Sequence, residues 1–218
     1  RLELLRIAGN RFAQVPAGVL QLPALAWLAL AGNPLSMAAE QASLAGASAN
    51  AIHASSLRIG AVLGEGASGH IHQAQDAAGR PLALKIFKAG QTSDGSPQSE
   101  LAAGLHAGIH PHLLTPLARV DGLPEGRLAA ALPLLDAAYQ PLAGPPDFAS
   151  CTRDIYPGDA VFSPTQANAL IAGIGSALAQ LHARGIVHGD LYAHNVLWNP
   201  HSGHALLSDF GAGLLTDG

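Results

Sequence analysis

The chain has 218 residues, 49% of them hydrophobic and 12% charged, with a formal net charge of −4. That is enough apolar material for more than one hydrophobic core, and the charge runs without blocks of one sign, which excludes a basic surface for nucleic acid and a polybasic stretch for anionic lipid. A single cysteine, Cys151, excludes an internal disulfide framework and a cysteine zinc cluster and fits a reducing, cytoplasmic setting.

The first segment repeats itself. "LELLRIAGNRF" from Leu2 and "LAWLALAGNPL" from Leu25 superimpose at an offset of 23 residues, matching Leu5 with Leu28, Ile7 with Leu30 and Asn10 with Asn33. The period falls in the leucine-rich-repeat range: each L-x-x-L-x-L unit reads as a short strand with inward apolar side chains, and the asparagine can bond backbone where the chain turns. Two repeats are too few for a solenoid, so further repeats are expected upstream of Arg1. The apolar run from Leu22 to Gly32 is too short to cross a bilayer. Residues 1–38 are therefore read as the end of a solenoid, and 39–56, rich in Ala, Ser and Gln, as its cap and a linker.

From Leu57 the pattern alternates like three antiparallel strands around two turns, the first of them the glycine-rich "GEGASG" from Gly64 to Gly69. This string fits G-x-G-x-x-G, but the run after Gly69 reads as a strand, whereas a dinucleotide-binding loop opens a helix. A hairpin of this kind lets backbone amides lie close over phosphates. Lys85 stands between Leu84 and Ile86 in an apolar strand, a costly place unless it meets an anion. Of the acidic residues between Lys85 and Val120, Asp94 and Glu100, only Glu100 falls on a predicted helix, which Ser96 and Pro97 would start. Lys85 and Glu100 are thus expected to pair.

Two more strand-like runs lie between Leu113 and Leu135, and "SPTQANALIAGIGSALAQLHARG" predicts a helix capped by Ser163 and stopped by Gly185. "HGDLYAHN" follows, with Asp190 and Asn195 in a loop, and Asp209 stands after a second apolar strand in "DFG". Two carboxylates and an amide oxygen converging from two loops suit Mg²⁺, which shares oxygen ligands with phosphate. The histidines, among them His106, His110 and His112 or His70 and His72, lack the further converging ligands a metal site needs and read as ordinary polar side chains.

Residues 57–218 resemble the eukaryotic-type protein kinase family: in order come the glycine-rich loop, V-A-I-K as "LALK", the helix glutamate, H-R-D-L-x-x-x-N as "HGDLYAHN", and D-F-G. With the repeats, the whole is similar to bacterial leucine-rich-repeat serine/threonine kinases. The resemblance implies an α+β, two-lobed kinase fold, with an N-lobe over 57–136 and an incomplete C-lobe over 137–218, preceded by the end of an α/β leucine-rich-repeat solenoid. It implies ATP under Gly64, Glu65, Gly66, Ala67, Ser68 and Gly69, with Lys85 on its phosphates and held by Glu100. It further implies Asp190 as catalytic base, Asn195 and Asp209 on Mg²⁺, Ile71, Ala83 and Leu197 around the adenine, and a hinge within Ala130 to Asp136.

Two letters depart from the family. Gly189 replaces the H-R-D arginine that meets an activation-loop phosphate, implying activity independent of that phosphorylation, and Tyr192 replaces the lysine usual in serine/threonine kinases, leaving Ser/Thr against Tyr specificity open. The chain reads as a fragment ending just after D-F-G, without an activation segment. The expected activity is transfer of the γ-phosphoryl group of ATP to a protein Ser/Thr hydroxyl, with the repeats recruiting a protein partner or substrate. "HGDLYAHN" also approaches the H-G-D-x-x-x-x-N of aminoglycoside and choline kinases, so a small-molecule phosphotransferase is the first alternative and a non-catalytic repeat scaffold with a pseudokinase the second.

Overall fold

The computed structural model describes residues 1–147, 149–150, 154–158 and 160–216; Cys151 lies outside them. The first two strands, β1 (Leu4–Arg6) and β2 (Trp27–Ala29), pair in parallel with Leu4 opposite Trp27, so the register equals the 23-residue repeat offset. Asn33 is fully buried beneath them: its Nδ2 donates to the carbonyls of Ile7 (2.9 Å) and Leu30 (2.7 Å), and its Oδ1 accepts from the Phe12 amide (3.1 Å). A buried amide with every partner made fixes the turn that a merely apolar residue would leave loose.

Helix α1 (Pro34–Ala47) starts directly after Asn33, with proline at its first turn. Residues 39–56, read from composition as cap and linker, hold the rest of that helix, two 3-10 turns and strand β3 (Ile52–His53). The difference has a physical cause: α1 packs on α2 (Pro97–Ala107) with Ala39 and Ser43 beside Leu44 at the contact, a surface too poor in large apolar residues for hydrophobic periodicity to announce.

Beyond β3 come β4 (Arg58–Glu65), β5 (Gly69–Gln75), β6 (Pro81–Phe87), β7 (Ala118–Asp121) and β8 (Ala129–Pro133), forming a six-stranded sheet in the order β3-β7-β8-β6-β5-β4. β6 lies inside it, antiparallel to both β5 and β8. Its burial follows its position: Leu84 and Ile86 enter a cluster with Ala74, Val120, Ala129 and Ala131, while Phe87 meets Leu101 of α2. β4 is an exposed edge along its length.

The remaining elements are β9 (Gln140–Pro141), α3 (Pro164–Ala183), β10 (Ile186–Val187), β11 (Val196–Trp198), β12 (Ala205–Leu207) and β13 (Leu214–Leu215). α3 begins with a reciprocal capping box, in which Ser163 Oγ accepts from the Gln166 amide and Gln166 Oε1 from the Ser163 amide. Its buried face, with Ala177 and Leu181, joins Ile186, Leu207, Phe210 and Leu215 in the largest core. That core anchors β10, β11 and β12, and these short strands carry the loops that hold Asp190, Asn195 and Asp209. The architecture is mixed α/β. Among the described residues no helix is long and apolar enough to cross a membrane.

Candidate active site

Lys85 sits on β6 opposite Ile71 of β5 and Ala130 of β8, so its side chain leaves a strand fixed on both edges. Its Nζ forms an ion pair with Glu100 Oε1. Glu100 stands in the first turn of α2, where the helix dipole favours a carboxylate, and Ser96 caps that turn by accepting from the Ser99 amide (3.0 Å). Burial pushes the Glu100 carboxyl above the ordinary range, and Lys85 opposes that shift.

The glycine-rich hairpin joins β4 to β5, closed by the Gly66 amide bonding the Gly69 carbonyl (2.9 Å). A Cβ on Gly69 would lie 2.6 Å from the Ile86 carbonyl oxygen, whereas on Gly64 or Gly66 it would meet nothing within 4 Å. Only the last glycine is dictated by packing. Lys88 crosses the hairpin, donating to Glu65 Oε1 (2.7 Å) and to the Gly66 carbonyl (3.0 Å).

Opposite, Asp190 is buried, its Oδ2 accepting from Asn195 Nδ2 (2.9 Å) and its Oδ1 enclosed with no hydrogen-bond partner among the described residues. Burial raises its carboxyl to about 6; the Asn195 bond and nearby His194 oppose the shift, while Asp209 and Asp94 add to it. His188, also buried and with its basicity lowered by burial, holds the loop by donating from Nε2 to the Ser208 carbonyl (3.1 Å). Asp209 adopts φ +59°, a left-handed conformation costly for a residue with a Cβ, and its Oδ1 accepts from the Gly211 amide (2.9 Å).

A cavity of about 420 Å³ is lined by Gly66, Ala67, Ser68, Gly69, Ile71, Lys85, Glu100, Asp190 and Asp209, so these expected site residues face one space. A smaller apolar cavity of about 200 Å³ adjoins it, sharing Ile71, Lys85, Glu100 and Asp209 and reaching Ala130 and Leu132 of the expected hinge. Gly64, Glu65, Ala83 and Leu197 line neither: Ala83 is buried in the sheet opposite Gln73 and Leu132, and Leu197 pairs with Leu206. Asn195 reaches the site through Asp190. Its Nδ2 is taken by that carboxylate, which leaves Oδ1 as its remaining acceptor.

The hard oxygens of Asn195 and Asp209 are of the kind a divalent cation takes when it completes its shell with phosphate, and the enclosed Asp190 Oδ1 is left without a hydrogen-bond partner among the described residues. Among the described residues, no three His, Cys, Asp or Glu side chains make a ready metal cluster.

Spacing and motifs assigned no role to four residues here. Asp94 lines the 420 Å³ cavity and forms an ion pair with Arg6 (2.9 Å), and burial raises its carboxyl. Asp154 Oδ1 lies 2.6 Å from His194 Nδ1, and His194 Nε2 lies 3.8 Å from Asp190 Oδ2. Trp27 lies against Tyr192 with the rings tilted at 46° and their centres 5.6 Å apart. Contacts between residues so distant in sequence leave no trace in spacing. Gly189 was visible as a departure, and the structure gives it a reason: at φ +79° a Cβ would lie 2.5 Å from the Ala212 carbonyl oxygen and 2.7 Å from that of Leu28.

The sequence is also similar to those of known kinases. Residues 143–213, about a third of the chain, match the lipopolysaccharide kinase (Kdo/WaaP) family. The chain is also 32% identical over 136 residues to the serine/threonine-protein kinase AfsK of Streptomyces griseus, covering 62% of this chain and 15% of that protein. It is 32% identical over 174 residues to the serine/threonine-protein kinase PkaA of Streptomyces coelicolor, covering 71% of this chain and 29% of that protein. The chain is protein-kinase-like. It spans less than a third of the length of either of these relatives. The motif residues of the kinase-like chain fall on both sides of the 420 Å³ cavity: the glycine-rich hairpin and Lys85 on one, Asp190 and Asp209 on the other.

Proposed function

We propose that this chain belongs to a phosphotransferase that moves the γ-phosphoryl group of ATP to a protein Ser/Thr hydroxyl. The observation that carries the reading is the Lys85–Glu100 ion pair facing Asp190 and Asp209 across one cavity. Lys85 binds phosphate oxygens and is held by Glu100, and the open hairpin at Gly66 leaves room for backbone to approach the phosphates. Asn195 and Asp209 would hold Mg²⁺, which when bound neutralises phosphate charge. Asp190 accepts the proton of the attacking hydroxyl as the oxygen–phosphorus bond forms and the bond to the β–γ bridging oxygen breaks, leaving ADP. Positioning and charge supply the rate in this scheme, so loss of one group costs orders of magnitude.

The N-terminal strands, in register at the repeat offset, support reading residues 1–38 as the end of a leucine-rich-repeat solenoid that recruits a protein partner or substrate. A second acceptor class has one observation in its favour, the family match over 143–213, whose name points to a sugar hydroxyl. The test is Mg-dependent transfer from labelled ATP by the full-length protein to a panel of generic proteins and of sugars. Transfer to protein, abolished by Asp190→Ala and by Lys85→Met, is expected. Transfer to sugars alone selects the second acceptor, and equal activity in wild type and Asp190→Ala refutes the catalytic assignment.

A further inference from the structure

Glu40 is a buried carboxylate on α1, 6% exposed, and it has no ion pair among the described residues. A charge in such a place is costly unless hydrogen bonds surround it. Three do. Oε1 accepts from the Gly32 amide (2.9 Å) and Ser36 Oγ (2.7 Å), both on its own side of the contact, and Oε2 accepts from Ser99 Oγ (2.9 Å) on α2. Because the Ser99 hydroxyl proton goes to Glu40, the 2.9 Å contact between Ser99 Oγ and Ser96 Oγ must be donated by Ser96, the residue that caps α2. A directed chain of hydrogen bonds therefore runs from Glu40 to the start of the helix that carries Glu100.

Ser99 and Glu100 are neighbours on that helix, about 100° apart around its axis. With Ser99 bonded to α1, Glu100 is turned toward β6, and neither can rotate without the other. A second tie, Ser43 Oγ donating to the Ala102 carbonyl (2.8 Å), fixes the axial position. The same N-terminal segment also grips the opposite side of the cleft: the Leu28 amide donates to the carbonyl of Gly189 (3.1 Å), the residue before Asp190, and Trp27 lies against Tyr192.

We propose that Glu40 is a positioning residue for Glu100, and that the N-terminal strands and α1 form a structural part of the phosphoryl-transfer site in addition to any recruiting role. The inference rests on the reading of Lys85 and Glu100 as nucleotide-binding residues. Without the Glu40–Ser99 bond, α2 is free to turn and the Lys85–Glu100 pair opens in part of the population.

The test uses the full-length protein and compares wild type, Glu40→Ala, Glu40→Gln, Ser99→Ala and Glu100→Gln, with Glu40→Ala also made in the Glu100→Gln background. Expected is a fall of about tenfold in kcat/KM for ATP in Glu40→Ala and in Ser99→Ala, measured well below each melting temperature, with partial recovery in Glu40→Gln. In the Glu100→Gln background Glu40→Ala should cost no further rate, because the group it positions is gone. A merely structural glutamate would cost the same factor in both backgrounds, and that result overturns the proposal. So does unchanged kcat/KM in folded Glu40→Ala; should that variant not fold, Ser99→Ala carries the same test. Hydrogen exchange of α2 amides, expected to quicken in either variant while those of α3 do not, reads the positioning without any turnover. An inactive wild type with that exchange pattern fails the function alone, and unchanged exchange in α2 fails the positioning.

Discussion

Two lysine–glutamate pairs, three residues apart at their lysines, flank the same glycine-rich hairpin and do different work. Lys85 and Glu100 are 15% and 9% exposed; Lys88 and Glu65 are 38% and 58% exposed. In the inner pair burial drives the glutamate toward its neutral form and the lysine opposes it, whereas in the outer pair the Lys88 hydrogen bond holds the Glu65 carboxyl below its usual range. The chemistry is the same and the surroundings decide its meaning. A charge kept where desolvation would remove it marks a site built to hold another charged group, while a charge shared with water marks a surface contact.

Breaking the inner pair gives the largest expected effect, and the two ways of breaking it differ. Glu100→Gln leaves Lys85 enclosed without a counter-charge, a loss of about 3–5 kcal/mol for a buried pair. Lys85→Met leaves Glu100, which burial already pushes toward protonation and which can neutralise itself, so it should destabilise less. Lys85→Met abolishes transfer, and Glu100→Gln cuts it by orders of magnitude to a measurable residual rate. Denaturant unfolding of the two variants at pH 7 checks the ordering, and a larger loss in Lys85→Met would reverse the account of which partner bears the cost.

The inner pair was legible in the sequence, and the reason is instructive. Lys85 in an apolar strand is an anomaly that local pattern exposes, and Ser96-Pro97 mark the helix on which its partner had to lie. Asp190 and Asp209 were equally visible because short motifs carry them. What spacing did not hold was every contact made across the fold by small or distant residues: Glu40 to Ser99, Arg6 to Asp94, Asp154 to His194. Residues 39–56 look like a linker because alanine packs closely without a strong apolar stripe, and the departure at Gly189, visible in the motif, has a steric basis in the close approach of Leu28 and Ala212 that the motif does not show.

A smaller effect separates the inner wall of the cleft from its rim by pH. Folded Asp190 keeps its proton to about pH 6, whereas an unfolded aspartate gives it up near pH 4. The folded state therefore binds the extra proton between these values, and its stability falls as pH rises through them. Asp190→Asn carries no such charge. The metal-free variant should exceed wild type in stability at pH 7 by about 2–3 kcal/mol, an order-of-magnitude figure, and match it near pH 4. The difference between the two melting curves reports Asp190 together with its coupling to Asp209 and Asp94; a difference independent of pH would contradict the assigned shift.

The outer pair should give the smallest effect. Lys88→Ala removes the bonds to Glu65 and to the Gly66 carbonyl, but the backbone bond from the residue 88 amide to the Ser68 carbonyl (3.0 Å) and the Gly66–Gly69 bond both remain. Because the lost contacts face water, the unfolding midpoint should not move measurably, and high salt, which screens exposed pairs, should leave wild type and variant alike. What should change is local. Hydrogen exchange of the amides from Gly66 to Gly69 should quicken in Lys88→Ala and not in Glu65→Gln, since in the latter the lysine still holds the Gly66 carbonyl. A drop in the unfolding midpoint as large as that of Glu100→Gln would erase the distinction between the two pairs, because it would mean that exposure does not set what a charge contributes here.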